Sequence, residues 1–358
     1  MRINNQSFHT IWLSDDKTKI QIIDQRYLPF QFIIEELNTV NDVYRAIKDM
    51  HLRGAPLIGV AAAYGMYLSA IEAINTINPT EKIKEDAARL ISSRPTAVNL
   101  SYAVQLSLEA INKSSAPIEK IAAALDIADS LKQKEINNCR QIGENGLPLI
   151  EKIAANKNGK PVNILTHCNA GWLACVDYGT ATAPIYLAKK KELNIHVWVD
   201  ETRPRNQGAR LTAYELGEEG VPHTIIADNT GGHLMQNGMV DIVIVGCDRM
   251  ALNGDCANKI GTYLKALAAK DNNLPFYVAL PYSTIDFSIP DGSHIPVETR
   301  SAEEVKYAEG WLDDRITSIL ITPQNSTAAN YGFDITPGRL ITGIITEKGI
   351  LRPGEKIR

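Results

Sequence analysis

The sequence predicts an α/β protein, in which a mostly helical N-terminal domain with a small sheet precedes a Rossmann-like domain with a doubly wound parallel sheet. Residues 1 to about 130 show mainly helical patterns, whereas short apolar strand patterns alternate with helices from residue 161 onward. Strands separated by helices predict parallel pairing with right-handed crossovers. We therefore place the domains at residues 1–130 and 131–358, with the boundary along a long helix or in the loop after it.

The N-terminal domain is expected to combine one strand pair with several helices. Strand patterns cover residues 7–13 and 18–24. Helical patterns cover 41–51 (with Asn41 as N-cap), a stretch with Pro56 in its first turn, and 80–92, 101–113 and 118–145, followed by a loop at 146–160. A helix start next to Arg53 suits phosphate binding, although a plain turn before a tightly packed helix explains the same residues. Arg94 is isolated in the sequence, and a solvated surface charge is the commoner role of such an arginine.

In the second domain, polar residues follow each predicted strand. The strands are expected at 162–165, 195–199, 223–227, 241–245 and 276–279, with helices at 180–191, 209–216 and 257–269. The carboxyl ends of parallel strands lie at one edge of a sheet, where ligands bind. The polar residues collected there are Cys168, Glu201, Arg203, Gln207, Asp228 and Asp248. Loops are also polar because they face water, and Asp200, Asp228 and Asp255 fit helix caps, an assignment we favour for Asp255.

Composition excludes several classes of function. Hydrophobic residues make up 44% of the 358, charged residues 22%, and the net charge is -4 without a long run of one sign. This argues against nucleic acid or an anionic membrane as a partner. The most apolar window, 57–68, is too short to cross a bilayer, and the N-terminus lacks a signal-peptide pattern, so a cytoplasmic protein is expected. Five cysteines without CxxC spacing argue against a zinc site or a disulfide framework.

The motifs of several large enzyme classes are missing from the sequence. It contains no GxGxxG after a strand, no GxxxxGK[ST] and no GxSxG. His167, Asp228 and His233 are possible metal ligands, but their spacing does not support a metal site. A thiol facing a carboxyl, as Cys168 and Asp248 would, suits proton transfer at carbon and oxygen. The sequence thus predicts isomerisation of an aldose phosphate to a ketose phosphate without a metal or organic cofactor.

Six segments carry a resemblance to a known family. They are RGAPLIGVAAAYG (53–65), RPTAVNL (94–100), THCNAGWLA (166–174), VDETRPRNQGARLTAYEL (199–216), VGCDRMALNGDCANKIGTY (245–263) and ITEKGIL (345–351). Together they resemble the methylthioribose-1-phosphate isomerases, whose superfamily includes the regulatory subunits of translation initiation factor 2B. The resemblance implies conversion of 5-methylthioribose 1-phosphate to 5-methylthioribulose 1-phosphate in methionine salvage, by a homodimer without cofactor.

The same resemblance assigns roles to individual residues. Cys168 matches the catalytic cysteine of the family, and Asp248 matches its catalytic aspartate, described as the proton donor. The residues implied to bind the phosphate and the sugar are Arg53, Gly54, Ala55, Arg94, Gln207, Asn258 and Lys259. Arg94 thereby becomes an expected ligand rather than a surface charge.

Departures from the family pattern leave the group at substrate C5 open. A bulky Trp172 after the cysteine loop would shorten the pocket, which would favour a 5-deoxy sugar over a methylthio sugar. The alternatives are therefore an isomerase of 5-deoxyribose 1-phosphate or ribose 1,5-bisphosphate, or a non-catalytic regulatory subunit. The presence of both Cys168 and Asp248 favours an enzyme.

Overall fold

The computed structural model describes residues 1–94 and 97–355; Pro95 and Thr96 of the segment 94–100 lie outside the described residues. The described chain divides into two compact units. The first comprises Met1, Ser7–Cys139 and Trp172–Gly179, and the second comprises Arg2–Gln6, Arg140–Gly171 and the described part of Thr180–Arg358.

The helices and strands are as follows. The helices are α1 (Val40–Lys48), α2 (Ala55–Ala73), α3 (Pro79–Ser93), α4 (Val98–Lys113), α5 (Pro117–Ala155), α6 (Ala183–Lys190), α7 (Ala213–Glu218), α8 (Thr230–Gln236), α9 (Thr262–Asp271) and α10 (Glu303–Lys306). The strands are β1 (Arg2–Ile3), β2 (Gln6–Ser7), β3 (Ile11–Leu13), β4 (Ile20–Ile23), β5 (Ile34–Leu37), β6 (Val162–Thr166), β7 (Ile195–Asp200), β8 (His223–Ile226), β9 (Ile242–Val245), β10 (Arg249–Ala251), β11 (Cys256–Lys259), β12 (Phe276–Ala279), β13 (Ile285–Asp286), β14 (Tyr307–Leu312), β15 (Arg315–Leu320), β16 (Phe333–Thr336), β17 (Gly343–Thr346) and β18 (Gly349–Leu351).

The first unit packs helices on a three-stranded antiparallel sheet of β3, β4 and β5. The N-cap predicted at Asn41 is wrong, because α1 begins after Thr39. The Thr39 hydroxyl accepts the N–H of Asp42, and the Asp42 carboxylate accepts the N–H of Thr39, which forms a capping box. Helix α4 begins at Val98, three residues before the predicted start.

Helix α2 forms the centre of this first core. Its 19 residues are long and apolar enough to cross a membrane by composition alone, but 78% of its most apolar window is buried inside the protein. Small residues such as Ala61, Ala62 and Ala63 are wholly buried, so neighbouring helices can approach its backbone closely. The burial is that of a core helix.

The second unit contains a seven-stranded sheet in the order β18-β17-β12-β9-β6-β7-β8. All neighbours in it are parallel except β17 and β18. The chain runs from β6 outward through β7 and β8, then returns to the other side of β6 with β9. This reversal makes the sheet doubly wound, which confirms the predicted fold class, and the crevice between β6 and β9 is its topological switch point.

Two predicted elements are wrong. The loop expected at 146–160 is mostly helix, since α5 continues through Gly146 and Pro148 to Ala155. A Cβ on Gly146 would lie 2.6 Å from the Pro184 ring, so the glycine permits close packing that outweighs its poor helix propensity. The helix expected at 257–269 begins only at Thr262, because residues 256–259 form β11, which pairs with β10 and β16.

Candidate active site

The carboxyl ends of β6 and β9 carry the two residues predicted to be catalytic. Cys168 follows β6 by two residues, and Asp248 follows β9 by three residues. Since these neighbouring strands flank the topological switch point, their ends form the expected ligand-binding edge of the sheet.

The Cys168 loop is held by hydrogen bonds at three atoms. The Cys168 N–H donates to Thr202 Oγ1 (2.8 Å), and the Cys168 carbonyl accepts from Thr212 Oγ1 (2.7 Å). Its Sγ donates to Gln207 Oε1 at 3.5 Å. Cys168 is 8% exposed and has a left-handed backbone, with φ of +66°, which is rare for a residue with a side chain. The structure thus brings together two predicted site residues, Cys168 and Gln207.

Gln207 lies directly before a π-helical turn, Gly208–Thr212. Gly208 is required there because a Cβ at this position would lie 1.8 Å from the Asp200 carbonyl oxygen. Below this turn, the buried Glu215 carboxylate accepts from Asn169 Nδ2 (3.0 Å) and from the Tyr186 hydroxyl (2.9 Å). The close approach of Gly208 and this buried network fix the loop that carries Gln207.

Asp248 and the predicted ligand Asn258 lie on neighbouring segments. The Asp248 N–H donates to the carbonyl of Ala257, which lies within β11 (3.0 Å). Asn258 is 4% exposed, and its Nδ2 donates to Thr262 Oγ1 (3.0 Å). Lys259 Nζ lies 4.7 Å from the centroid of the Phe333 ring. The Asp248 side chain itself is exposed, whereas a carboxyl that donates a proton at neutral pH ordinarily lies in a site shielded from water.

Next to Cys168, three buried charged residues form a cluster that the sequence argument missed. His167 Nδ1 lies 2.8 Å from Asp200 Oδ2, and His167 Nε2 lies 2.8 Å from the Ile260 carbonyl oxygen. Lys265 Nζ lies 3.2 Å from the same Asp200 oxygen and also donates to the Asp228 carbonyl. The available signal was position, because His167 and Asp200 stand at the ends of buried strands; nothing in the helical pattern marked Lys265.

The three aspartates that fitted helix caps have other roles. Asp228 accepts the N–H groups of Thr202 and Arg203, both at 2.7 Å. Asp255, the favoured cap, accepts the N–H groups of two glycines instead, because no helix begins after it. The cap assignment is therefore wrong for all three, and these carboxylates organise loops at the end of the sheet.

Among the described residues, two groups place possible metal-ligand atoms within 4.8 Å of one another. The first is Asp24, Glu35 and His51, and the second is His167, Asp200 and Asp228. His233, which the sequence argument had combined with His167 and Asp228, is exposed on α8 and belongs to neither group. In each group a cationic side chain already pairs with a carboxylate: Arg26 with Asp24 (2.6 Å), and Lys265 with Asp200. Neither donor set favours a metal ion over the cation already present.

A carboxylate beside this cluster, Asp334, lies on β16. Burial raises its pKa above the ordinary value, although N–H groups of Gly261 and Tyr263 donate to it at 2.7 and 3.1 Å. Electrostatic interactions with His167 and Lys265 act in the opposite direction and lower this pKa. Asp334 therefore helps to hold the turn that follows Lys259.

The other predicted ligands lie in the first unit. Arg53 is 8% exposed, and Gly54 directly precedes α2 with φ of +102°. A Cβ on Gly54 would lie 2.2 Å from the Ala174 carbonyl oxygen, so only glycine fits. Ala55 is the first residue of α2, as the phosphate-binding argument requires, and Arg94 directly follows α3.

All five cysteines lie in the described residues and are free thiols. The pKa of the Cys139 thiol is well above its ordinary value, mainly because of a hydrogen bond with Cys175 and secondly because of burial. The pKa of Cys247 is also raised, mainly by burial and secondly by a hydrogen bond with Cys256. These thiols are poor nucleophiles at neutral pH.

An α/β protein with a cysteine at the switch point of its sheet has clear relatives. The model of the initiation factor 2 subunit family matches residues 51–353. The methylthioribose-1-phosphate isomerase of Desulfosudis oleivorans is 55% identical over 346 residues, covering 96% of this chain and 94% of the relative. That of Desulfatibacillum aliphaticivorans is 54% identical, covering 99% and 97%.

Solved structures give the same result. The 5-methylthioribose 1-phosphate isomerase of Pyrococcus horikoshii superposes with a TM-score of 0.86 at 35% identity, covering 98% of this chain and 94% of that one. A structure described as translation initiation factor eIF-2B subunit delta from A. fulgidus has a TM-score of 0.82 at 37% identity, covering 98% of each chain. The chain belongs to the initiation factor 2 subunit family, among the methylthioribose-1-phosphate isomerases. The predicted resemblance is thereby confirmed.

Proposed function

We propose that this protein isomerises 5-methylthioribose 1-phosphate to 5-methylthioribulose 1-phosphate, a reaction of methionine salvage. The observation that carries the proposal is the Cys168 thiol, 3.5 Å from Gln207 Oε1 at the switch point, with Asp248 after the neighbouring strand. The names of relatives more than 50% identical over nearly the whole chain support the same substrate.

The remaining roles follow the family resemblance. We assign binding of the phosphate and the sugar to residues in three places: the start of α2, the end of α3, and the loops around β7 and β11. These residues are Arg53, Gly54, Ala55, Arg94, Gln207, Asn258 and Lys259. Backbone N–H groups at the start of α2 suit an anion, because they have no partner within the helix.

The chemistry divides into two balanced steps. Cys168 first releases its thiol proton to solvent and becomes the thiolate. In the first step, this thiolate takes the proton from C2, the bond between C1 and the ring oxygen breaks, and Asp248 gives its proton to that oxygen. A C1–C2 enol results. In the second, the Cys168 thiol returns its proton to C1, and the C2 hydroxyl proton goes to Asp248 as the ketone forms. Both residues regain their starting states, and no external oxidant or reductant is needed.

The exposure of Asp248 adds a requirement to this mechanism. A carboxyl acts as an acid at neutral pH only when its charged form is disfavoured, which burial achieves. We therefore propose that the bound substrate covers Asp248 and excludes water from it. The carboxyl then becomes a proton donor in the complex rather than in the free protein.

Turnover of the purified protein on three substrates tests the function. We expect clear preference for 5-methylthioribose 1-phosphate over 5-deoxyribose 1-phosphate and ribose 1,5-bisphosphate. Cys168→Ser and Asp248→Asn should each lower kcat at least 100-fold, whereas the controls Cys139→Ser and Asp271→Asn should retain it. Full activity in either of the first two variants would refute the role assigned to that residue.

Reaction in D2O separates proton transfer from a competing hydride shift from C2 to C1. Proton transfer through Cys168 predicts deuterium at C1 of the product, because a thiol exchanges its hydrogen with solvent. A product without deuterium at C1 would favour the hydride shift or a base shielded from solvent. The same experiment with Cys168→Ser sets the background.

The alternative functions differ in their support. Trp172 has no exposed surface, so it does not line a cavity open to solvent. Its bulk therefore gives no reason to prefer a 5-deoxy sugar.

The likeness to the structure described as subunit delta supports a regulatory subunit as the second candidate. Absence of turnover on all three substrates, together with co-purifying partner proteins, would favour that candidate.

We also propose that the protein is a cytoplasmic homodimer. The five free thiols suit a reducing compartment. The hairpin of β14 and β15 exposes apolar side chains, including Trp311, Leu312 and Ile319, and such a patch is typical of a protein interface. Light scattering on the wild type and Ile319→Glu tests this, because a dimer through the hairpin should dissociate in the variant.

A further inference from the structure

The buried cluster of His167, Asp200 and Lys265 has no part in the proton transfers above, although His167 directly precedes Cys168. The three residues are 1%, 0% and 4% exposed. Burying charged groups costs several kcal/mol per ion unless they are paired and hydrogen-bonded. A cluster of this kind beside the proposed catalytic thiol therefore calls for a functional reason.

The hydrogen bonds of His167 define its protonation state. Its Nδ1 faces Asp200 Oδ2 and its Nε2 faces the Ile260 carbonyl oxygen, both at 2.8 Å. A carbonyl oxygen and an ionised carboxylate only accept hydrogen bonds, whereas a neutral imidazole has a single N–H to donate. The ammonium of Lys265 lies 3.2 Å from the same Asp200 oxygen, so this oxygen already accepts from a second donor. The ring must therefore carry hydrogen on both nitrogens.

Carboxylates from three elements face the two cations of the cluster. Asp200 ends β7, Asp228 follows β8 with an oxygen within 4.8 Å of the ligand atoms of His167 and Asp200, and Asp334 lies on β16 near both cations. The positive charges are thus compensated from several sides.

The ring joins the cysteine loop to the strand that carries two predicted ligands. His167 precedes Cys168, and Ile260 follows Lys259 at the end of β11. Strand β11 is held independently, because Asn258 pairs with Asp334 and Lys259 with Phe333 on β16. The other hydrogen bonds of Cys168 go to Thr202, Gln207 and Thr212, none of which lies on β11, so losing the bridge would loosen Cys168 relative to β11 and leave β11 in place.

We propose that doubly protonated His167 is a positioning residue, which fixes Cys168 relative to the Asn258–Lys259 end of β11. The proposal rests on the proposed function only in taking Cys168 as the group that moves the proton. It makes separate claims about the charge of the ring and the mobility of the loop, and each can be measured without substrate.

The charge of the ring is measured by nitrogen-15 NMR of the seven histidines in the wild type. We expect His167 to show two protonated ring nitrogens at pH 7.5, while exposed His294 serves as a titrating reference. His51, which is also buried, is assigned from the spectrum of His51→Gln. A bare nitrogen in the His167 ring at pH 7.5 would overturn the proposal, whether or not the protein isomerises any sugar.

The effect on catalysis is measured with His167→Gln and the matched control His196→Gln on the neighbouring strand β7. A glutamine cannot donate in the two directions that the imidazolium serves. We expect kcat to fall roughly 10- to 100-fold with KM changed less than threefold, because misplacing a reacting group by about 1 Å costs on this order. Unchanged kcat in His167→Gln, or an equal loss in His196→Gln, would contradict the positioning role.

Alkylation of Cys168 by iodoacetamide reports on the loop itself. Since Cys168 is 8% exposed, a loosened loop in His167→Gln should react several times faster than the wild type, while Cys139 and Cys256 stay unmodified. An unchanged rate at Cys168 would overturn the proposal. If Cys139 and Cys256 react too, the variant is unfolded, and the NMR measurement on the wild type decides, because a bare ring nitrogen in His167 at pH 7.5 overturns the proposal.

Discussion

Replacing Gly208 by alanine should damage the site through one atom. The new Cβ would lie 1.8 Å from the Asp200 carbonyl oxygen, whereas real Cβ contacts of this kind essentially never fall below 3.0 Å, so the two must separate by about 1 Å. Asp200 cannot retreat easily, because His167 and Lys265 hold its carboxylate. The displacement must fall on Gly208 and on Gln207 beside it.

Two effects follow from that displacement. Overpacking of this size costs about 1–3 kcal/mol of unfolding free energy. A shift of about 1 Å in Gln207, which accepts from the Cys168 thiol, should lower kcat about 100-fold. Steady-state kinetics and thermal melting, monitored by circular dichroism, measure both quantities.

The matched control is Gly217→Ala on α7. Its Cβ would lie 3.8 Å from His223 Cε1, an ordinary van der Waals contact, so alanine should keep kcat and raise helix stability by up to about 1 kcal/mol. If Gly208→Ala keeps kcat within threefold of the wild type and melts at the same temperature, the close approach does not position the loop, and the reasoning fails.

Three further substitutions test other contacts. Thr202→Val removes the hydroxyl that accepts the Cys168 N–H, which should cost about 1–3 kcal/mol in thermal unfolding, and Thr202→Ser should restore it. Burial alone would raise the pKa of Glu304, but hydrogen bonds from Arg300 outweigh it and hold that pKa at about 2, below the ordinary 4.5. The resulting stability, about 2–3 kcal/mol, is present above pH 4.5 and lost as the pH falls toward 2. The melting temperature of Glu304→Gln should therefore be lower than that of the wild type at pH 7 and should change less between pH 4.5 and pH 2. Gly54→Ala, with φ of +102° and a Cβ 2.2 Å from a backbone oxygen, should lower the melting temperature; an unchanged melt would show that the turn adapts.

Much of the sheet could be predicted from sequence because buried parallel strands are continuous apolar runs. The pattern placed the starts of β6 and β7 at the observed residues, and it placed Cys168 at the end of a strand. Strand β11 could not be recognised in the same way, since CANK contains two polar residues and is defined by its pairing with β10 and β16. The course of α5 past Gly146 depends on contact with Pro184, which no local pattern reveals.

In the candidate site too, some features follow from the local sequence and others depend on tertiary contacts. Residue type and motif indicated the thiol and the carboxyl, because their chemistry is specific. The exposure of Asp248 depends on tertiary structure, as does the meeting of His167, Asp200 and Lys265, which are separated by 33 and 65 residues along the chain. Sequence reasoning therefore found the reactive groups and missed the groups that hold them.

The left-handed backbone of Cys168 lowers the stability of the fold at the position whose thiol is needed for activity. The left-handed conformation costs a residue with a Cβ roughly 1–2 kcal/mol, whereas glycine, which has no Cβ, adopts it without this steric cost. Cys168→Gly should therefore yield a more durable but inactive protein. Substitution for resistance to heat alone would therefore remove the thiol on which the proposed reaction depends.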